Sequence, residues 1–74
     1  MSSAYVCTFG VDREGRWNVV VMYYGVKSGG DEINTRPGAR YTTPTGAFMA
    51  AENAVLNHRI QMMLDEAAKK KEEE

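Results

Sequence analysis

The side chains that most often carry out nucleophilic chemistry are scarce in this sequence of 74 residues. It contains one cysteine, Cys7, and one histidine, His58. Cys7 lies in an apolar stretch and is expected to be an inert core residue, while His58 lies on the flank of a predicted helix. No serine lies in a nucleophile-elbow pattern, and no glycine-rich loop matches the phosphate-loop or dinucleotide fingerprint. The sequence therefore predicts a protein that is not an enzyme.

Metal and cofactor binding are not predicted either. A closed structural zinc site needs four ligands, and this chain offers one cysteine and one histidine. Asp31 and Glu32 are adjacent acids in a polar stretch, where carboxylates are normally solvated. We therefore expect no metal and no cofactor.

The segment from Arg36 to Gly46 has the composition of an anion-binding site, with two arginines, three threonines, two glycines and a predicted helix start. Free N–H groups and the positive end of the helix dipole favour a phosphate or carboxylate there. Arginine adds donors that match either group, and Tyr41 can stack on a ring. The predicted ligand-binding residues are Arg36, Gly38, Arg40, Tyr41, Thr42, Thr43, Thr45 and Gly46. The alternative is that Thr43 and Thr45 only cap the helix and the arginines serve solubility.

Strands are expected to position this segment. Ala4 to Val11 and Trp17 to Tyr24 read as strands that alternate their side chains between two faces, joined as a hairpin by a polar loop with Gly15. Gly25 to Gly38 reads as a long loop. Ala39 to Thr42 is predicted to form a short third strand that pairs with the second.

The helix is predicted to begin with Thr43 as the N-cap and Pro44 at the first helical position. It is expected to extend to about Lys71, with its last two turns either projecting beyond the globule or fraying. The predicted fold class is α+β, a small three-stranded antiparallel sheet in the order β-β-β-α with one long C-terminal helix. Residues 1–71 are expected to form a single domain, followed by an acidic tail at residues 72–74.

Several features favour a homo-oligomer. A chain of this length buries only about 60% of its unfolded surface, and with one cysteine it cannot form an internal disulfide. The second strand is apolar on both faces, and the helix has two apolar edges separated by Glu52, Arg59 and Glu66. The predicted interface residues are Val20, Met22, Tyr24, Leu56, Arg59, Ile60 and Met63. The alternatives are that the end of the strand lies under the long loop and that Arg59 extends past the core.

Charge and hydropathy narrow the class of function. The net charge of −1 disfavours binding along a nucleic acid, which requires many cations. No apolar run approaches the ~20 residues of a membrane span, no basic-then-apolar signal begins the sequence, and a lone cysteine fits a reducing cytoplasm. The leading hypothesis is a cytoplasmic oligomer that binds a nucleotide-like, phosphate-bearing small molecule. The first alternative is an inhibitor or adaptor, of the kind that phages use for host takeover or anti-defence, that contacts a host protein.

A second alternative, DNA binding through the sheet, follows from a resemblance. Gly10-Val11, Gly15-Arg16-Trp17 and the alanine-rich stretch from Thr43 to Ala54 resemble, in this order, the DNA-binding domains of plant ethylene-response factors and phage-type integrases. The resemblance implies a three-stranded sheet that enters the major groove. The side chains available for this are Arg13, Arg16, Asn18, Lys27 and Arg40. Val19 to Tyr24 departs from the family pattern because it lacks basic residues.

Overall fold

The computed structural model describes residues 3–26 and 29–73, with side chains for residues 3–26 and 29–70. Its elements are β1 (Ala4–Val11), β2 (Trp17–Tyr24), β3 (Asp31–Glu32) and α1 (Pro44–Glu73). The strands form one antiparallel sheet in the order β1-β2-β3, and α1 packs on one face of it. The predicted α+β fold class is confirmed.

The β1–β2 hairpin is regular, and its loop is held by one carboxylate. Asp12 Oδ1 accepts hydrogen bonds from the backbone N–H groups of Glu14 and Arg16, each at 2.9 Å. Gly15 has a φ of 80°, a left-handed conformation that costs glycine little. These bonds close the loop and leave all eight residues of each strand paired.

The third strand does not lie where the sequence predicts it. β3 is Asp31–Glu32, inside the stretch expected to be a loop, and it pairs with the end of β2. The predicted third strand, residues 39–42, is wrong. Within it, Tyr41 makes an isolated bridge to Trp17 at the start of β2.

The side chain of Asn34 accounts for this difference. Its Oδ1 accepts a hydrogen bond from the N–H of Val21 at 2.7 Å, and its Nδ2 donates to the C=O of Val19 at 2.9 Å. The carboxamide thus takes the place that the backbone of a longer β3 would occupy. The chain can then leave the sheet and return at Tyr41, which exchanges backbone hydrogen bonds of 2.6 and 2.8 Å with Trp17.

A stripe of small side chains on α1 faces the sheet. Ala47, Ala51 and Ala54 are at most 5% exposed and cluster with Val19 and Val21 of β2. Their spacing places them on one face of a helix. Since alanine is short, the helix backbone lies close to the sheet. These five residues are the buried hydrophobic core of the described chain.

The larger apolar side chains of α1 lie beside or behind this stripe. Phe48 lies above the β1 side of the sheet, where it meets Phe9 edge to face with ring centroids 4.8 Å apart. At 100° per residue, Leu56, Ile60 and Met63 lie on the side of α1 away from the sheet, and they are 45, 54 and 68% exposed. The two predicted apolar edges are therefore not the buried face, because the sheet contacts the alanine stripe, which lies outside the arc that these edges form with the charged residues between them.

The expectation that Cys7 is a core residue is wrong. The helix packs mainly over β2, so the neighbouring strand β1 is covered only in part. Cys7 is exposed, and Phe9 and Val11 on the same face are 37 and 57% exposed.

The chain also exposes more surface than a compact monomer of its mass. A globular monomer of 8.3 kDa should expose about 4,600 Å², whereas this chain exposes 5872 Å². Its radius of gyration is 14.9 Å, against about 11 Å for a compact domain of this length. Much of the difference comes from α1, whose residues 61–70 are all exposed. The predicted projection of its last turns is confirmed.

Replacing an alanine of the stripe tests the close packing of α1 on the sheet. Ala51→Leu should lower the free energy of unfolding by about 1–3 kcal/mol, because the larger side chain forces the helix away from β2. The control Glu52→Leu, at the exposed neighbouring position, should change it by less than about 0.5 kcal/mol. Urea unfolding followed by circular dichroism measures both, and equal effects would contradict the packing described.

Candidate functional site

A groove lies between the segment that follows β3 and the first turns of α1, and we call it the loop–helix groove. Its volume is about 480 Å³, within the usual range of about 300–1,000 Å³ for small-molecule sites. It is lined by Thr35, Arg36, Tyr41, Gly46, Met49, Ala50, Asn53 and Asn57. Three predicted ligand-binding residues, Arg36, Tyr41 and Gly46, therefore meet here.

The groove presents polar groups of three kinds. Arg36 is exposed and forms no ion pair with any described carboxylate. Asn53 and Asn57 are four residues apart on α1, so their carboxamides lie on the same side of the helix. Tyr41 is half-buried and adds a ring to the wall. A guanidinium, two carboxamides and a phenol can together bond a phosphate and the edge of a heterocycle.

The start of α1 is capped from within the chain. Thr43 Oγ1 accepts a hydrogen bond from the N–H of Gly46 at 3.2 Å, as an N-cap residue does. Gly46 also allows Tyr41 to approach the first turn, because a Cβ at Gly46 would lie 3.3 Å from the Cβ of Tyr41. Thr42 and Thr45 are exposed and do not line the groove. The capping role expected as the alternative is thus observed for Thr43.

The structure separates the two arginines that the sequence placed in one site. Gly38 and Arg40 line a different groove, on the sheet face that α1 leaves open, together with Asn18, Val20 and Glu32. Arg40 Nε lies 3.6 Å from Asp12 Oδ2. Gly38, with a φ of 81°, turns the chain between Arg36 and Arg40, so the two guanidiniums do not meet.

The residues proposed to contact DNA are only partly available. Arg16 forms ion pairs with Asp12 and Glu14 in the hairpin, and Arg40 also pairs with Asp12. Lys27 lies outside the described residues. Sheet-mediated DNA binding stays a prediction that no observation here favours.

Sequence reasoning missed an aromatic cluster at the other end of the sheet. Tyr5 Oη and His58 Nδ1 are 2.9 Å apart, and the ring centroids of Tyr23 and His58 are 4.4 Å apart. Burial raises the pKa of Tyr5, Tyr23 adds to that rise, and the charge of Arg59 opposes it. The strand pattern does place Tyr5 and Tyr23 on one face. The position of His58 above them depends on how α1 lies along the sheet.

Neither a metal site nor a membrane span is found in the described part of the chain. No group of three or more His, Cys, Asp or Glu side chains is arranged there to hold a metal ion. No helix there is both long enough and apolar enough to cross a bilayer. Comparisons with known protein families, curated proteins and solved structures give no match. Functional inference therefore depends on the geometry of the chain itself.

Asp12 connects the hairpin to the segment that carries Arg40. The N–H of Arg16 is the main reason that the pKa of Asp12 lies below its ordinary value of 3.8. The N–H of Glu14 and the charges of Arg16 and Arg40 also lower the pKa, while burial opposes them. The ionised form of Asp12 therefore stabilises this corner.

This lowered pKa predicts how stability depends on pH. The stabilisation by ionised Asp12 should be complete above the unfolded-state pKa of about 4 and should be lost as the pH falls through the lower folded-state pKa. Asp12→Asn keeps the acceptor oxygen but removes the charge, so it should melt below the wild type at pH 7. The difference in melting temperature should shrink towards pH 2.5. A constant difference between pH 7 and pH 2.5 would show that the charge contributes nothing.

Proposed function

We propose that this protein is a non-enzymatic, homo-oligomeric binding protein of the reducing cytoplasm that holds a nucleotide-like, phosphate-bearing small molecule in the loop–helix groove. The observation that carries the proposal is the lining of that groove, which brings together Arg36, the ring of Tyr41 and the carboxamides of Asn53 and Asn57. The guanidinium of Arg36 pairs with no carboxylate in the described part of the chain. These groups match a ligand with one anionic end and one aromatic end.

Each part of the groove has a distinct role in this proposal. Arg36 binds the phosphate through charge-assisted bonds. Tyr41 stacks on the heterocycle. Asn53 and Asn57 bond its edge, since a carboxamide both donates and accepts. The groove volume of about 480 Å³ suits a mononucleotide better than a polymer.

Arg36 and Arg40 lie in different grooves, so replacing each of them by alanine provides a test of the proposal and its control. Titration calorimetry with nucleoside monophosphates and diphosphates should detect binding by the wild type. Arg36→Ala should weaken that binding by about ten- to a hundred-fold, as expected for losing hydrogen bonds to a charged group. Arg40→Ala, on the other side of the sheet, should leave it within a factor of two.

Two results would contradict the proposal. The first is that no nucleotide gives a heat of binding when the protein is assembled, at a concentration 100 times the dissociation constant of the oligomer. The second is an equal loss of affinity in the Arg36→Ala and Arg40→Ala variants. Inorganic phosphate serves as the control ligand, because it lacks the ring that Tyr41 and the asparagines would bind.

Self-association is supported by the size of the core. Five buried residues, three of them alanines, form the hydrophobic core of the described chain, while thirteen large apolar side chains in that part of the chain are exposed. A monomer rarely leaves so much apolar surface in water. Association with other copies would cover part of it.

A second candidate function is that of an inhibitor or adaptor that contacts a host protein. The projecting half of α1 favours it, because Ile60, Met63 and Leu64 are 54, 68 and 60% exposed there. An amphipathic helix with exposed methionines is a common recognition element.

The two candidate functions differ in the surface that they need. If the second is correct, the wild type should co-purify with a host protein in a fixed ratio. The double variant Met63→Glu, Leu64→Glu should lose that partner, whereas Arg36→Ala should keep it. A partner kept by the helix variant, or no partner in a fixed ratio for the wild type, contradicts the second candidate.

A further inference from the structure

The outer edge of β1 is an eight-residue strand without the features that normally protect an edge. Ala4–Val11 contains no proline and no charged residue, and its pairing with β2 is continuous, without a bulge. Natural edge strands usually carry lysine, proline or a bulge that prevents pairing with another strand. The opposite side of β2, in contrast, is occupied by β3, by the carboxamide of Asn34 and by the bridge to Tyr41.

The hydrogen-bond pattern shows which backbone groups this edge presents. Val21 bonds to Asn34 on the β3 side, so the backbone groups of odd-numbered β2 residues point away from β1. Successive residues of a strand direct these groups to opposite sides, so even-numbered β2 residues bond to β1. Even-numbered residues of β1 lie opposite them. The backbone groups left for the open edge are those of the odd-numbered β1 residues, Tyr5, Cys7, Phe9 and Val11.

We propose that a second copy of this chain pairs with β1 along this edge, antiparallel and about a two-fold axis at Thr8, so that two sheets join into one of six strands. This inference rests on the oligomeric part of the proposed function and is independent of the ligand. When two copies of β1 pair antiparallel about a two-fold axis, each residue whose backbone groups point outward must lie opposite another such residue. Centring the axis at Thr8 uses all four. Tyr5 then lies opposite Val11 of the second copy, and Cys7 lies opposite its Phe9.

The surface around this edge suits a second copy. On the helix side, Phe9 and Phe48 are 37 and 52% exposed, although they contact each other. Pairing places Cys7 of the second copy opposite Phe9 and makes the two Phe9 residues diagonal neighbours, so the joined strands and the flanks of both helices enclose one apolar layer. The side chains that β1 contributes are uncharged, so no like charges meet at the axis.

Disulfide trapping on the full chain tests the position of the axis. At this axis Thr8 lies opposite Thr8 of the second copy in a pair without mutual hydrogen bonds, whose Cα atoms are about 4.5 Å apart, which is within the range that a disulfide spans. Diamide, which takes up two electrons and two protons as two thiols join, should convert the double variant Cys7→Ser, Thr8→Cys to a covalent dimer in native buffer but not in urea. The wild type should react at least five-fold more slowly, because Cys7 and its counterpart in the second copy are diagonal neighbours.

Light scattering with two lysine variants tests the edge itself. Cys7→Lys should raise the dimer dissociation constant at least ten-fold, while Val20→Lys, on the open sheet face, should change it less than two-fold. Circular dichroism confirms that both variants fold.

Each contrary result has a distinct meaning. A wild-type monomer at 100 µM overturns both this inference and the oligomeric part of the proposed function. A dimer that survives Cys7→Lys but not Val20→Lys overturns this inference alone and assigns the interface to the open face. Faster trapping at position 7 overturns the register. A trapped dimer that binds no nucleotide leaves this inference intact and removes the ligand.

Discussion

The structure depends on the carboxamide of Asn34, which binds β2 as a piece of strand would. By accepting from Val21 and donating to Val19, it completes the far edge of the central strand. Residues 35–40 therefore do not pair with β2, and the start of this segment, Thr35 and Arg36, forms one wall of the loop–helix groove. A hydrophobic residue at position 34 would leave a half-buried N–H and C=O without partners, at a cost of about 1–3 kcal/mol for each. The groove and the sheet edge would then both change.

A second constraint is the close packing of α1 on the sheet. Because Ala47, Ala51 and Ala54 form the contact, the helix lies low over β2 and the bulky side chains are placed on its flanks and back. The same arrangement leaves β1 partly uncovered and keeps Phe9 and Phe48 at the margin. A small core and an extensive apolar surface thus have a single cause. The large apolar side chains of α1 therefore stay exposed and are available for contact with another molecule.

The sequence predicted those features that depend on local pattern. The alternation in β1 and β2 and the Thr43-Pro44 start of the helix both rest on interactions between near neighbours in the chain. The prediction of the third strand was wrong because the side chain of Asn34 takes the place of backbone pairing. Such a contact produces no alternation of polar and apolar residues in the sequence. The stripe of buried alanines was overlooked for a related reason, since larger side chains dominate a helical wheel.

The candidate site was predicted only in part. The segment around the helix start does contain Arg36, Tyr41 and Gly46 of the groove, because a helix start and its preceding loop are adjacent in sequence. Arg40 was assigned to the same site, but the turn at Gly38 places it near Asp12. Asn53 and Asn57 could be found only from the structure, because their contribution depends on the loop passing beside α1. The contact between Tyr5 and His58 likewise depends on where α1 lies along the sheet.

The projecting half of α1 has a consequence for how the chain responds to temperature. A helix in water is difficult to nucleate but easy to extend, and the turns packed on the sheet supply the nucleus for those beyond it. Local contacts, such as the hydrogen bond of 3.0 Å between Gln61 and Asp65, then support residues 61–73 one turn at a time. The distal helix should therefore shorten gradually on warming while the sheet still unfolds in one cooperative step. As long as the packed turns stay folded, the length of ordered helix presented to a partner is then a continuous function of temperature that is set by helix propensity.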